Sequence, residues 1–426
     1  MSTTMSAGST RSPRDEHHDP ATPGPAAPRR AASTRSGAPG PTAPGPATSA
    51  AATSGCDPSA PDLAGAVDQP LQVLAVDGTR RPEAQLDPYL RDVDEAQLAA
   101  LFLDMSVIRA LDDEAVALQR QGELGLWPPL RGQEAAQIGL ARALPETDFF
   151  FTSYRENGVA WCRGARPEEM LSVWRGTTLS GWDPFARRMA TPQVIIGAQT
   201  HHAVGYAMAT AARGQEDIAI ACFGDGAMSQ GDVSEAMVFA ASFRAPVLFF
   251  CQNNHYAISE PVALQSTVPL SHRPLGFGIP SLRVDGNDVL AVRAATRLAA
   301  ERIRSGAGPM FLEAVTYRLG PHTTSDDPTR YRDEAELERW RERDPILRLE
   351  RNLEQLGAPV AQLRREADER AREAADALHA AVTALPVPTP ESLFEHVLTG
   401  EHAGLARQRE QMRALEASLA PAGSTS

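Results

Sequence analysis

The chain has 426 residues, 42% of them hydrophobic, enough for one large domain or two small ones. Its 54 acidic side chains outnumber 41 basic ones, and the net charge of −13 argues against a nucleic-acid partner, which needs a basic face. No apolar run reaches the roughly 20 residues of a membrane span and no apolar h-region marks a secretory signal, so a soluble cytoplasmic enzyme without a membrane partner is expected.

Residues 1–65 are mostly Ala, Pro, Gly, Ser and Thr, with almost no large apolar side chain. Such a segment cannot bury enough surface to offset its ordering entropy and reads as a disordered tail. Asp15, Glu16, Asp19 and the prolines also oppose a basic, amphipathic transit helix. Residues 66–130 read as an N-terminal extension: a short strand-like piece at 71–76, a turn at Asp77-Gly78, then a helix beginning near Asp94. Asp92 and Asp94 are its candidate caps, and Leu98, Leu101, Phe102, Met105, Ile108 and Leu111 recur at helical spacing to give a core face.

Residues 131–332 alternate helical and strand patterns. Helices are expected over 132–143, within 156–175 and over 199–212. Asp217–Ala221 is an apolar run, 232–243 a helix and Ala245–Cys251 a second buried strand, which together make one βαβ unit. Residues 258–278 lack periodicity and read as a long loop. Ser281–Val284 is a short strand, Asn287 or Asp288 caps a helix to Arg304, and Met310–Tyr317 is another buried strand. A polar loop fills 319–332, and the charged helical region 333–426 has mostly solvated faces. The alternation predicts an α/β fold with a doubly wound, mostly parallel sheet and helical extensions at both ends. Cys56, Cys162, Cys222 and Cys251 share no metal-ligand spacing; Cys222 and Cys251 fall in strands as core thiols, which suits a reducing cytoplasm.

The chemistry concentrates between Cys222 and Tyr256. Gly224-Asp225-Gly226 follows the first strand of the βαβ unit and Asn253-Asn254 follows the second. Parallel strands gather ligands beyond their carboxyl ends, so Asp225 and Asn254 should each offer a hard oxygen there. Mg²⁺ favours oxygen ligands and usually binds through one or two side chains plus substrate phosphates. Gly224 and Gly226 let the backbone approach a bound group. A lone Gly-Asp-Gly would read as a glycine-rich turn with Asp225 as a helix cap; the paired asparagines at the next strand tip favour a Mg²⁺-bridged diphosphate site. There is no Walker loop and no G-x-G-x-x-G fingerprint, which speaks against a nucleotide-dependent oxidoreductase on a similar sheet. His201 and His202, adjacent on a helix, point about 100° apart and are read as structural or pocket-lining.

Gly224-Asp225-Gly226 with Asn253-Asn254 resembles the thiamine diphosphate motif. Gly132–Gly139, Tyr154-Arg155-Glu156, Arg283–Val289 and Thr316–Asp327 resemble the α subunit of the E1 component of 2-oxo acid dehydrogenase complexes. The branched-chain type is the nearer likeness and the pyruvate type is next. The resemblance covers roughly residues 85–400 and implies a thiamine diphosphate-binding fold with Mg²⁺. It implies Asp225, Asn254 and the backbone carbonyl of Tyr256 as metal ligands, and Gly224, Gly226 and Ala227 beside the cofactor. Arg155 and Arg318 fall at its phosphate-binding positions and His322 at its catalytic histidine, the group suited to proton transfer. Tyr154 is expected to line the substrate pocket. Ile196 aligns with the bulky residue that props the cofactor into a bent shape; an ordinary core isoleucine is the equal alternative.

The chain departs from the pattern in places. Gln252 stands where branched-chain relatives can carry an arginine, which leaves the phosphate clamp weaker or differently built. Pro321 stands where some relatives have a second histidine. Thr323 and Asp333 stand where animal relatives have regulatory phosphoserines, so no matching serine switch is expected. No second thiamine-type domain follows residue 330. The resemblance therefore implies that the glutamate for the aminopyrimidine comes from a separate β subunit in an α2β2 heterotetramer. The implied reaction is decarboxylation of a branched-chain 2-oxo acid and acyl transfer to the lipoyl group of an E2 component. Pyruvate and acetoin types, and a catalytically degenerate scaffold subunit, are the alternatives.

Overall fold

Five apolar runs pair in parallel to make one sheet. Its strands lie in the order β1 (Phe149–Phe151), β2 (Ala219–Gly224), β3 (Val247–Asn253), β7 (Met310–Val315) and β6 (Ser281–Asp285). A two-residue antiparallel pair, β4 (Tyr256–Ala257) and β5 (Glu260–Pro261), follows β3. The computed structural model describes residues 68–419 apart from 179, 387 and 396, so Cys56 and the tail expected to be disordered lie outside it.

Thirteen α-helices are defined among the described residues. Before β2 come α1 (Glu95–Arg120), α2 (Glu134–Ala143), α3 (Asn157–Cys162), α4 (Pro167–Arg175), α5 (Pro184–Arg187) and α6 (Ala198–Ala212). The βαβ helix is α7 (Gly231–Phe243), followed by α8 (Val262–Gln265) and α9 (Val289–Arg302). The last four are α10 (Glu334–Arg341), α11 (Pro345–Gln355), α12 (Val360–Ala384) and α13 (Ala403–Leu419).

Helices cover both faces of the sheet, which is why its strands read as continuous apolar runs rather than alternating ones. On one face Phe150, Ile220, Leu248 and Leu312 pack with α1, α2 and α9. On the other, Phe149, Ala221, Phe249 and Phe311 pack with α6 and α7. This is the doubly wound α/β architecture. The chain steps outward through β1, β2 and β3, jumps to the far edge for β6, and returns to insert β7 between β3 and β6. The carboxyl ends around β3 thus form a crevice where the strand order reverses.

Several local expectations need correction. Residues 71–76 form isolated bridges, Leu71 to Val284 and Leu74 to Arg80, rather than a strand. Asp94 alone caps α1, in a reciprocal box with Gln97, while Asp92 pairs with Arg297. The segment 258–278 holds α8 and two 3₁₀ turns, each too short to show a period. Asp288 caps α9, which ends at Arg302 in a π-helical turn over Ile303–Ala307. The region beyond 333 is less solvated than its charge suggests: Leu349, Leu353, Leu363 and Leu378 join the main core, and the buried Arg348 pairs with Asp285 at 2.9 Å. No helix among the described residues is long and apolar enough to cross a membrane.

Candidate functional site

The carboxyl ends of β1, β2, β3 and β7 surround a cavity of about 460 Å³. Every residue singled out from the sequence for a site lines it: Tyr154 and Arg155 after β1, Gly224–Ala227 at the end of β2, Asn254 and Tyr256 after β3, Arg318 and His322 after β7, and Ile196 before α6. His201 and His202 do not; His201 faces Glu235 at 3.8 Å instead. Ile196 is 37% exposed on the cavity wall, so it is not a core isoleucine.

The β2 tip carries the acid. Gly224 precedes a 3₁₀ turn over Asp225–Ser229 that has no side-chain cap, so Asp225 is free of the helix-capping role. A Cβ on Gly226 would stand 2.7 Å from Cβ of Ala257, which leaves room only for glycine. Asp225 is buried, and burial raises its pKa above the usual carboxylate range. Its Oδ2 accepts a hydrogen bond from Nε2 of Gln265 at 3.0 Å.

Asn254 completes an oxygen cluster. The amide atom of Asn254 that faces Asp225 lies 3.3 Å from Oδ1 of Asp225 and 3.2 Å from the carbonyl oxygen of Tyr256. With nitrogen there, the amide donates to both and the cluster is satisfied without metal. With oxygen there, Nδ2 donates to Oε1 of Gln133 at 3.1 Å and three oxygens converge. Octahedral Mg²⁺ with bonds near 2.1 Å separates neighbouring ligands by about 3 Å, the spacing this cluster already has. With the amide oxygen on this side, the donor set, two hard side-chain oxygens and a carbonyl, fits that cation.

Two arginines flank the histidine. Arg155 donates from Nη1 to the carbonyl oxygen of Pro129 at 2.5 Å and from Nη2 to that of His322 at 2.9 Å. Arg318 donates to the carbonyl oxygens of Tyr256 at 2.9 Å and Ile258 at 2.7 Å. Both guanidinium groups also reach Nδ1 of His322, at 3.2 and 3.4 Å. That nitrogen must accept, so the proton of the neutral ring sits on Nε2. Burial first, then Arg155 and Arg318, lower the His322 pKa to about 3. The ring is held edge-on to Tyr154 at 6.1 Å, and the His322 backbone N–H donates to Asp326 at 2.8 Å.

At Gln252 the sequence shows only the missing arginine, and Gln133, Gln265 and Glu336 carry no individual signal in it. Gln252 donates to Oε1 of the buried Glu156 at 2.6 Å, and its own Oε1 has no hydrogen-bond partner beside the cavity. Glu336 on α10 accepts the hydroxyl protons of Tyr256 at 2.8 Å and Tyr317 at 3.2 Å, bracing the backbone of Tyr256 from behind. Gln133 and Gln265 hold Asn254 and Asp225. Single glutamines and a glutamate on a charged helix stand out from nothing around them.

A cavity at the carboxyl edge of a doubly wound sheet, lined by buried polar side chains, two arginines and a neutral histidine, is the place where an α/β enzyme holds its ligand. Residues 104–391 match the dehydrogenase E1 component family. The chain is 46% identical over 347 residues to the 3-methyl-2-oxobutanoate dehydrogenase subunit alpha of Mycobacterium tuberculosis (strain CDC 1551 / Oshkosh), covering 81% of this chain and 94% of that one. It is 38% identical over 321 residues to the pyruvate dehydrogenase E1 component subunit alpha of Staphylococcus aureus (strain Mu50), covering 75% and 87%. The chain belongs to the dehydrogenase E1 component family, whose members are oxidoreductases.

Proposed function

We propose that this chain is the α subunit of a branched-chain 2-oxo acid dehydrogenase E1. It would bind thiamine diphosphate through Mg²⁺, decarboxylate 3-methyl-2-oxobutanoate and its homologues, and pass the acyl group to the lipoyl group of an E2 component. One observation carries this reading: the Asp225–Asn254–Tyr256 oxygen cluster faces the same cavity as Arg155, Arg318 and His322.

When bound, thiamine diphosphate supplies the nucleophilic carbon and the electron sink for decarboxylation. Asp225, Asn254 and the carbonyl oxygen of Tyr256 would hold the Mg²⁺, and Gly224, Gly226 and Ala227 would give the diphosphate backbone access. Arg155 and Arg318, both on the cavity wall, would supply the positive charge that the diphosphate needs. Ile196 would prop the bound cofactor, and Tyr154 would border the substrate. His322, neutral and protonated at Nε2, would offer a hydrogen-bond donor to the reacting group and would serve the transfer to the lipoyl group. Leu126, Trp174, Val194 and Ile258 also line the cavity, and this apolar wall suits a branched aliphatic side chain.

The active enzyme is an α2β2 heterotetramer in the cytoplasm, with the β subunit completing the cofactor site. Val238, Phe239 and Phe243 on α7 form an exposed apolar surface, with the two phenyl rings stacked 6.1 Å apart, of the kind a partner chain covers.

The test is decarboxylation by the chain alone and co-expressed with its β partner, given Mg²⁺ and thiamine diphosphate, with 3-methyl-2-oxobutanoate beside pyruvate. Activity only with β and a preference for the branched acid is the expected result. A preference for pyruvate keeps the mechanism and moves the substrate to the type represented by the Staphylococcus aureus relative. Failure to bind the cofactor overturns the reading.

A further inference from the structure

A single carboxylate behind the cavity holds the chain segment on which two of its working parts rest. Asp112 lies on α1, fully buried and outside the cavity. It accepts the indole N–H of Trp127 at 2.8 Å, the backbone N–H of Leu130 at 3.0 Å to each oxygen, and the backbone N–H of Arg131 at 3.0 Å. All its partners belong to the strap between α1 and α2. A buried carboxylate is costly, and these donors offset that cost only while the strap keeps this one shape.

The other side of the strap faces the site. The carbonyl oxygen of Pro129 accepts Nη1 of Arg155. The backbone N–H of Trp127 donates to Oγ1 of Thr324 at 3.1 Å, and its carbonyl oxygen accepts the Thr324 N–H at 2.9 Å. The carbonyl oxygen of Arg131 accepts the N–H of Leu319 at 3.0 Å. The strap therefore grips the His322 loop on both sides of the histidine, at Leu319 and at Thr324, and fixes the guanidinium that abuts the ring. The end of the strap lies close against the segment that follows β7: a Cβ on Gly132 would stand 2.3 Å from the carbonyl oxygen of Tyr317.

We propose that Asp112 is a positioning residue, which through the strap at 127–131 sets Arg155 and the His322 loop in the arrangement that receives the diphosphate. The proposal rests on the diphosphate reading for its purpose, but its mechanical content does not depend on any ligand. Substituting Asp112 frees the strap, and the strap releases Thr324, Leu319 and Arg155 together.

The experiment uses the chain with its β partner, as wild type and as Asp112→Asn, Thr324→Val, the double variant and Asp288→Asn. Asp288 is the control: it is equally buried and accepts the Val73 and Leu74 N–H groups, but it serves the N-terminal segment and α9 rather than the strap. Amide exchange at Leu319 and Thr324 is measured without ligand, and thiamine diphosphate affinity is measured by titration in Mg²⁺. Asp112→Asn is expected to speed exchange at both amides and weaken cofactor binding, each about tenfold, the scale of one lost buried hydrogen bond. Asp288→Asn should leave both within about twofold. Thr324→Val should weaken binding by itself and add little to Asp112→Asn, because both act on one linkage. Unchanged exchange in Asp112→Asn, or an equal change in Asp288→Asn, overturns the proposal. If the wild type takes up no thiamine diphosphate, the cofactor reading fails and the exchange result alone decides for or against Asp112. Should Asp112→Asn not fold, Trp127→Phe removes one of the same donors, and faster exchange at Thr324 remains the expected result and unchanged exchange the overturning one.

Discussion

Arg155 holds His322 twice, with Nη2 placed 3.2 Å from Nδ1 of the ring and 2.9 Å from the backbone oxygen. The pair makes the histidine an acceptor at one nitrogen and a donor at the other, and it opposes any positive charge on the ring. With the pKa lowered to about 3, His322 should stay neutral across the physiological range in the unliganded protein. The sign follows: the unfolded chain takes up this proton near pH 6.5 and the folded one does not, so this group costs stability as pH falls from about 6.5 towards 3. An NMR titration of the His322 ring should show no midpoint between pH 5 and 8. Arg155→Ala should move the midpoint up towards the ordinary value; a wild-type midpoint near 6.5 would refute the arrangement.

Glu336 on α10 receives two tyrosine hydroxyls, from Tyr256 and Tyr317. Burial first, then Glu336, push the Tyr256 pKa up to about 12, so the phenol remains a donor at any working pH. Glu336→Ala leaves both hydroxyls without this acceptor and should cost about 2 kcal/mol in denaturant unfolding. Glu336→Gln, which keeps an acceptor oxygen, should cost less than half as much. Equal losses in the two variants would show that packing rather than the hydroxyl bonds fixes Tyr256.

The buried pair Arg348–Asp285 ties α11 to the end of β6. Arg348→Ala strands a carboxylate in the interior and should lower stability by about 3–5 kcal/mol. Arg348→Met, which fills the space but leaves the same charge, should not recover the loss unless Asp285→Asn is added. Thermal unfolding of the three variants checks this, and full stability in Arg348→Met would remove the pair from the account.

The parts of this site that are legible in sequence share one feature: each follows directly on an apolar run. Asp225 is the first residue beyond β2 and Asn254 the first beyond β3, so the rule that parallel strands gather ligands at their carboxyl ends brings the two together. The position of Arg318 beside Tyr256 depends instead on β7 pairing with β3, through Leu248 with Met310 and its successors, a long-range choice that no local pattern records. Glu336 lies in a run of glutamates and arginines where its neighbours are solvated, and only the fold turns it towards two tyrosines. Arg348 reads as surface charge for the same reason. Asp112 sits beside Asp113 on α1; the first is buried and the second pairs with Arg131 at the surface, a distinction set by helix rotation alone.

The oxygen cluster gives the prediction that bears most directly on the cofactor. Asp225 must be ionised to hold a cation, and burial raises its pKa in the metal-free protein. Protons and Mg²⁺ therefore compete for it, and cation-dependent uptake of thiamine diphosphate should fall off on acidification at a pH above the ordinary carboxylate value of about 3.9. Asp225→Ala should lower that uptake by about 100-fold or more, since a first ligand is lost. Gln265→Ala removes only the hydrogen bond to Oδ2 and should cost about tenfold, as loss of an outer partner of a metal ligand does. Asn254→Asp replaces the amide with an oxygen-only side chain that no longer donates to Gln133; it should raise affinity for Mg²⁺ alone while loosening the β3 tip. Calorimetric titrations of Mg²⁺ with thiamine diphosphate across pH 5–8 separate these effects. Undiminished uptake in Asp225→Ala would show that Asp225 and the Tyr256 carbonyl meet there to accept the Asn254 amide and not to hold a cation.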